Sequence, residues 1–205
     1  MLSLRWEAMI SSIFKPAVTR AITPAAKGAL KLGLTPNTVT FFGATAVVLT
    51  ASYFYPRSEF FLGTVLICFF SLSDLFDGTM ARISQKGASP WGGFLDSTID
   101  RIADASIFIG VIIALNRSAD PLVPVVVIAL ATGSLIPYIR AKAESMDIQC
   151  TGGIAERTER LMIALLGIGL EGLGVNFALA ICMWVLLILG VITVLQRIFI
   201  VKRAL

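Results

Sequence analysis

Six apolar stretches recur along this 205-residue chain and constrain its fold more than any other feature. A membrane-spanning helix needs about 20 predominantly apolar residues, because the backbone polar groups must be paired within the segment. The stretches cover residues 37–54, 60–80, 92–115, 121–139, 161–175 and 177–200. Since 57% of all residues are also hydrophobic, we expect an all-α integral membrane protein with six transmembrane helices.

The first 35 residues have a different composition. Five basic residues alternate there with large apolar ones, and the basic ones are Arg5, Lys15, Arg20, Lys27 and Lys31. This pattern is typical of an amphipathic helix that lies on the membrane surface. The sequence therefore predicts a juxtamembrane surface helix over 1–35 and a six-helix membrane domain over 36–205. An ordinary N-terminal tail is the alternative for 1–35.

The basic residues are distributed unequally between the two sides of the predicted bundle. With six spans, both termini lie on one side, and that side holds all 17 lysines and arginines except Arg57 and Arg117. The positive-inside rule then places both termini and the loop after the second span in the cytoplasm.

Four aspartates lie within or beside these apolar stretches. Asp74, Asp77, Gly78, Ala81 and Arg82 follow one another at helical spacing, so that they share one stripe of a helix. Asp96 and Asp100 share a stripe of the next helix. A carboxylate at bilayer depth costs about 2.5–3.5 kcal/mol on insertion scales. Two such pairs therefore indicate that a strongly cationic ligand binds between them.

The chain contains no histidine, which excludes a serine–histidine–aspartate triad and a typical catalytic zinc site. Carboxylates without histidine or cysteine favour Mg²⁺, Mn²⁺ or Ca²⁺. Four of them offset the charge of two divalent ions, an arrangement known from phosphoryl and nucleotidyl transfer. Arg82 is then available for a phosphate group.

Two other interpretations of acidic residues remain at this point. The four aspartates could pair with arginines such as Arg82 and Arg101 to hold helices together. Asp104 extends the second stripe by one more turn, and we expect it to form a salt bridge or support a ligand rather than bind metal.

The pattern Asp74-x2-Asp77-Gly78-x2-Ala81-Arg82-x9-Gly92-x3-Asp96-x3-Asp100 resembles the signature of the CDP-alcohol phosphotransferase family. The resemblance implies that an alcohol attacks the β-phosphate of a CDP-linked lipid, here CDP-diacylglycerol, and that CMP leaves. It further implies a bacterial cell membrane enzyme that forms a homodimer, and no nucleic-acid partner is expected.

The resemblance also assigns residues to roles. Asp74, Asp77, Asp96 and Asp100 would bind two Mg²⁺ ions, with Mn²⁺ as a substitute, and Asp100 would also serve as the base. The residues themselves do not separate Asp96 from Asp100 in that role. The CDP-diacylglycerol contacts would be Asn37, Thr38, Val39, Thr40, Gly78, Arg82 and Ser89. The segment from Leu34 to Thr40 also has the signals of an ordinary helix start, with Pro36 in the first turn.

Clustered arginines in the second half of the chain predict an acceptor that carries a phosphate. The candidate ligands are Arg140, Arg157, Arg160 and Arg197. Anchoring at the cytoplasmic surface is the simpler explanation for such residues, and we prefer it for Lys202 and Arg203. The segments around Arg140 and Arg160 resemble the branch of the family that uses inositol 1-phosphate. Glycerol 3-phosphate is the alternative acceptor.

Two functions of other classes also place acidic residues in a membrane. A divalent-cation transporter would line a water-filled path with them, and a structural membrane subunit would use them without turnover. Metal uptake into vesicles without lipid turnover would favour the transporter.

Overall fold

The computed structural model describes residues 23–30, 32–83, 89–150, 152–154 and 156–205, with only the backbone described at positions 74, 75, 77 and 81. Over these ranges the chain is helical and has no strand. The helices are α1 (23–30), α2 (Pro36–Phe54), α3 (Phe60–Ser71), α4 (Ser73–Ile83), α5 (Pro90–Arg117), α6 (Val123–Glu144), α7 (Arg157–Gly172) and α8 (Ala178–Ala204), with a 3₁₀ turn at Tyr55–Arg57. Residues 1–22, most of the predicted surface helix, lie outside the described residues.

Three of these helices are long and apolar enough to cross a membrane: α2 with its 3₁₀ turn, α6 and α8. Helix α3 is apolar but shorter. Helix α5 is longer, at 28 residues, but carries four charged residues between positions 96 and 104: Asp96, Asp100, Arg101 and Asp104. The all-helical class and the membrane character are thus as the sequence predicts.

The stretch 60–80 is a correction to the sequence prediction, because it is not one continuous helix. Helix α3 ends at Ser71 and α4 begins at Ser73. The Leu72 N–H bonds to the Phe69 carbonyl three residues earlier, so the helix tightens before it ends.

The helix starts follow the local sequence. Thr35 Oγ1 accepts the Thr38 N–H at 3.2 Å, which caps α2 ahead of Pro36. Ser89 Oγ accepts the Gly92 N–H at 3.0 Å in the same way at the start of α5. Helices α2 and α5 therefore both begin at a proline that directly follows a capping hydroxyl residue.

The chain divides into two compact units, Met1–Val47 with Cys68–Asp100 and Val48–Ile67 with Arg101–Leu205. In the first unit, α2 and the start of α4 approach closely: a Cβ on Gly43 would lie 1.9 Å from Ser73 Oγ. A side chain at position 43 would therefore displace the start of the helix that carries Asp74 and Asp77.

The second unit is held together by small residues at helix crossings. A Cβ on Gly190 of α8 would lie 2.7 Å from Thr132 Oγ1 of α6, and one on Gly167 of α7 would lie 2.5 Å from the Cβ of Cys182. Close backbone approach of this kind is how helices pack in a bilayer, where neighbouring lipid is as apolar as the side chains. A fully buried Tyr55 hydroxyl bonds to Thr64 Oγ1 at 2.9 Å.

Candidate active site

The four aspartates of the motif lie on two helices of the first unit, as their spacing predicts. Positions 74 and 77 are on α4, and Asp96 and Asp100 are near the start of α5. Asp96 is exposed and Asp100 is half-buried. The backbone alone is described at 74 and 77, so the convergence of all four carboxylates stays a prediction.

The surroundings of these positions suit a hard cation and an anionic ligand. Apart from the nearby backbone of α4 and the two neighbours of Gly78 in the chain, no atom of the described residues lies within 4 Å of the position that a Cβ at Gly78 would take. The described side chains contain no group of three acidic, histidine or cysteine residues. Metal binding by Asp74, Asp77, Asp96 and Asp100 stays a prediction, and the hard oxygens of carboxylates fit Mg²⁺ or Mn²⁺.

The predicted nucleotide contacts are brought together in part. Asn37 lies beside Gly92, where a Cβ would be 2.8 Å from Asn37 Oδ1 and 3.1 Å from Ser89 Oγ. A side chain at position 92 would require the Asn37 side chain to shift away from the start of α5. Arg82 is exposed on α4, and its Nη2 donates to Thr79 Oγ1 at 3.3 Å.

The hydroxyls of α2 have local partners. Thr38 Oγ1 bonds to Thr35 Oγ1 at 2.8 Å, and Thr40, which is buried, donates to the Pro36 carbonyl at 3.1 Å. Val39 is half-buried. This supports the helix-start interpretation of the segment, and a nucleotide contact from Thr38 or Thr40 stays a prediction.

A cavity in the second unit gathers three guanidinium groups and one carboxylate. The charged groups belong to Arg101, Asp104, Arg157 and Arg160. The apolar part of the lining consists of Phe108, Leu130, Leu161 and Leu186. The cavity thus has an excess of two positive charges in a largely apolar setting, where electrostatic attraction is stronger than in water. Such a cavity suits a small dianion.

Asp104 is the acidic member of this cavity, and it bonds to arginine on two sides. Its Oδ1 and Oδ2 accept Nη2 and Nε of Arg157 at 3.1 and 3.3 Å. Arg101, one turn earlier on α5, lies 3.6 Å from Oδ2. Asp104 therefore forms the salt bridges that its sequence position predicts.

Arg160 lies over a part of α6 that a proline has altered. Pro137 has no N–H to offer the Gly133 carbonyl, and Arg160 Nη2 points at that carbonyl from 3.5 Å. A Cβ at Gly133 would be 3.8 Å from Arg160 Nε. Arg160 lies in the first turn of α7, before the apolar stretch that begins at residue 161. Burial lowers the pKa of the Arg160 guanidinium. The negative charge of Asp104 acts to raise this pKa, and the positive charges of Arg101 and Arg197 lower it further.

The other two predicted phosphate ligands do not line this cavity. Arg197 is buried, with 5% of its surface exposed, and donates to the Ile136 carbonyl at 2.7 Å and the Gly152 carbonyl at 3.0 Å. Arg140 is exposed and pairs with Glu144 at 2.8 Å, one turn further along α6. The structure thus brings Arg157 and Arg160 together, and adds Arg101, which was not among the predicted phosphate ligands. In the sequence, the i, i+4 spacing of Asp96, Asp100 and Asp104 marks this part of α5 as functional, but it does not identify Arg101 as a phosphate ligand.

Comparison with known proteins places this site in a family. The chain matches the CDP-alcohol phosphatidyltransferase family over residues 33–200. It is 39% identical to the phosphatidylinositol phosphate synthase of Streptomyces avermitilis, over 96% of this chain and 84% of that protein. This chain therefore belongs to the CDP-alcohol phosphatidyltransferase family, which confirms the resemblance of the aspartate motif.

Two solved structures of phosphatidylinositol phosphate synthase from Mycobacterium tuberculosis share the fold. The structure with CDP-DAG bound has 40% identity and a TM-score of 0.84, covering 89% of this chain and 94% of that one. The structure in complex with manganese and citrate has 39% identity and a TM-score of 0.82, covering 88% of each chain. That related protein therefore binds manganese.

Proposed function

We propose that this protein transfers the phosphatidyl group of CDP-diacylglycerol to a hydroxyl of inositol 1-phosphate. A hydroxyl oxygen of the acceptor forms a bond to the β-phosphorus of the donor, and the bond from that phosphorus to the bridging oxygen breaks. The products are phosphatidylinositol phosphate and CMP. The family, the names of the relatives and the donor bound in the related structure support this reaction.

The observation that carries the choice of acceptor is the cavity of the second unit. A phosphate monoester carries a charge of about −1.5 to −2 at pH 7. The excess of two positive charges from Arg101, Arg157 and Arg160 over Asp104 matches this charge. A free alcohol carries no charge and would not offset the excess positive charge of the cavity. Guanidinium also offers forked donors that fit phosphate oxygens.

Arg140 and Arg197 complete the predicted set of phosphate ligands. Arg197 uses two of its five N–H donors on backbone carbonyls, so the remaining donors are compatible with a phosphate. Arg140 would exchange its exposed contact with Glu144 for the acceptor, at little cost, since exposed ion pairs contribute about 0–1 kcal/mol.

Four carboxylates would hold two Mg²⁺ ions, with Mn²⁺ as a substitute: Asp74, Asp77, Asp96 and Asp100. Bound divalent ions supply charge compensation for the pyrophosphate and the departing CMP. Asp100 would accept the proton of the attacking hydroxyl, which leaves the oxygen nucleophilic. Gly78, Arg82 and Ser89 would contact the nucleotide or its phosphates, and Asn37, Thr38, Val39 and Thr40 the cytidine.

The membrane arrangement belongs to the same proposal. Six spans would place the motif aspartates and the arginines at the cytoplasmic face of a bacterial cell membrane, where inositol 1-phosphate is dissolved. The acyl chains of the donor remain in the bilayer, and the enzyme acts as a homodimer. Labelling of single cysteines from each side of the membrane tests the orientation, and the mass of the detergent-solubilised protein tests the dimer.

The decisive experiment measures CMP release by the purified protein with CDP-diacylglycerol and Mg²⁺. Inositol 1-phosphate, glycerol 3-phosphate and free inositol are compared as acceptors. We expect inositol 1-phosphate to give the highest kcat/KM, and EDTA to abolish release. Arg160→Gln should raise the KM for inositol 1-phosphate roughly tenfold to a hundredfold, whereas Arg203→Gln, an exposed residue of α8, should not. Preference for glycerol 3-phosphate would refute the acceptor, and absence of CMP with every acceptor would refute the transferase.

A further inference from the structure

Asp104 is an anion in a cavity that we expect to bind an anion. Its side chain is 20% exposed, so it is largely removed from water while its charge opposes that of a phosphate. Carboxylates are kept at such positions when they are paired on both oxygens, because an unpaired buried charge is costly. Both oxygens of Asp104 are paired, and both face Arg157.

The bond between Asp104 and Arg157 fixes the plane of the guanidinium. The carboxylate takes the Nε–H and one Nη2–H, which lie on the same edge of the group. The opposite edge, with Nη1, is therefore turned away from Asp104. A forked contact of this kind restricts rotation far more than a single bond does.

Arg157 occupies a helix position that does not itself favour a cation. It is the first residue of α7, where the helix dipole attracts anions and opposes positive charge. A negatively charged partner from α5 offsets this. The same dipole would favour a phosphate beside Arg157, so a fixed guanidinium and the helix start can act on one anion.

We propose that Asp104 is a positioning residue, which holds the Arg157 guanidinium in the orientation that binds the acceptor phosphate. This inference rests on the proposed function of the cavity. Asp104 follows Asp100 by one turn of α5, yet its role is distinct from that of the four motif aspartates. It acts through Arg157 and does not touch the reacting atoms.

Replacement of Asp104 by Asn distinguishes a positioning role from a purely electrostatic one, because the two roles predict opposite changes in the KM for inositol 1-phosphate. If Asp104 contributed only its charge, its removal would relieve repulsion and lower the KM for inositol 1-phosphate. If it positions Arg157, the neutral amide loses one of the two charge-assisted bonds, and the KM should rise about tenfold. The KM for CDP-diacylglycerol should stay within about twofold of the wild type in either case.

Four further variants extend the test. Asp104→Glu keeps the charge and should fall between wild type and Asp104→Asn. Arg157→Gln combined with Asp104→Asn should be no worse than Arg157→Gln alone, since both remove one interaction. Asp147→Asn is the matched control, because Asp147 is exposed and its φ of +58° suits Asn. A lower or unchanged KM for inositol 1-phosphate in Asp104→Asn would overturn the proposal, as would an equal loss for both substrates.

Failure of the proposed function can be told apart from failure of this inference. If the wild type releases no CMP with inositol 1-phosphate, the reaction is wrong, and the positioning role is then measured with inorganic phosphate. We expect phosphate to raise the unfolding temperature of the wild type more than that of Asp104→Asn. Equal or greater stabilisation of the variant would overturn the inference.

Discussion

Arg197 gives a prediction whose magnitude follows from the structure. It donates to carbonyls of two separate segments, Ile136 on α6 and Gly152 in the loop before α7, from a position that is only 5% exposed. Replacement by Gln removes both charge-assisted bonds, each worth roughly 1.5–3 kcal/mol. Glutamine is neutral, so the variant no longer has the free-energy cost of burying a charged guanidinium, which offsets part of this loss. We therefore expect a net destabilisation of about 2 kcal/mol.

The assay is denaturant unfolding of the purified protein in detergent micelles, combined with limited proteolysis. Loss of the bond to Gly152 should make the 152–154 segment more sensitive to protease, while the α6 helix itself persists. Arg203→Gln is the control, because it makes the same substitution at an exposed position of the same helix. We expect that control to stay within about 0.5 kcal/mol of the wild type.

The result that would refute this reasoning is a stable Arg197→Gln protein. A change below about 0.5 kcal/mol, with an unaltered protease pattern, would mean that the two carbonyl bonds contribute little. An increased KM for inositol 1-phosphate in such a stable variant would assign Arg197 to phosphate binding alone. Loss of stability together with a raised KM would indicate that Arg197 does both.

Two more predictions concern the base and a strained glycine. Asp100→Asn should leave the protein folded and lower kcat by about 10²–10⁴-fold at saturating substrates, measured as CMP release, because the amide cannot accept the proton; unchanged kcat would refute the base. Gly153→Ala should destabilise by about 1–3 kcal/mol in the same unfolding assay, because φ is +140° and the new Cβ would lie 2.5 Å from Thr193 Cγ2. Adding Thr193→Ser should restore only the part of the stability that the steric clash removes. Full restoration would show that the positive φ at position 153 does not destabilise the alanine variant.

Helix content and the two aspartate pairs could be predicted because both depend on local spacing. Helices can be predicted without tertiary information from apolar stretches of about 20 residues and from local start signals such as Thr35-Pro36 and Ser89-Pro90. Intervals of three and four residues define stripes on those helices. The sequence does not predict the interruption at Leu72, because the apolar stretch continues through it and hydropathy does not register where one helix ends and the next begins.

The arginines show where sequence reasoning stops. All four candidates lie near ends of predicted spans, and this alone gave no reason to separate them. Their partners separate them: Arg157 bonds to Asp104, Arg160 lies over Gly133, Arg197 binds two carbonyls and Arg140 pairs with Glu144. Arg101 also lines the cavity, although the neighbouring aspartates at i, i+4 spacing point to a cation and not to a phosphate ligand.

The sequence by itself determined the class of protein, the helical class of the fold and the placement of the aspartate pairs on two helices, because each is set by residues within two or three turns of one another. The tertiary structure decided which cations share a cavity and which are bound to the backbone. Asp104 and Arg157 are 53 positions apart, and Arg197 and Ile136 are 61 apart. Contacts over such separations depend on how α5, α6, α7 and α8 pack, and no periodicity within one helix encodes that packing.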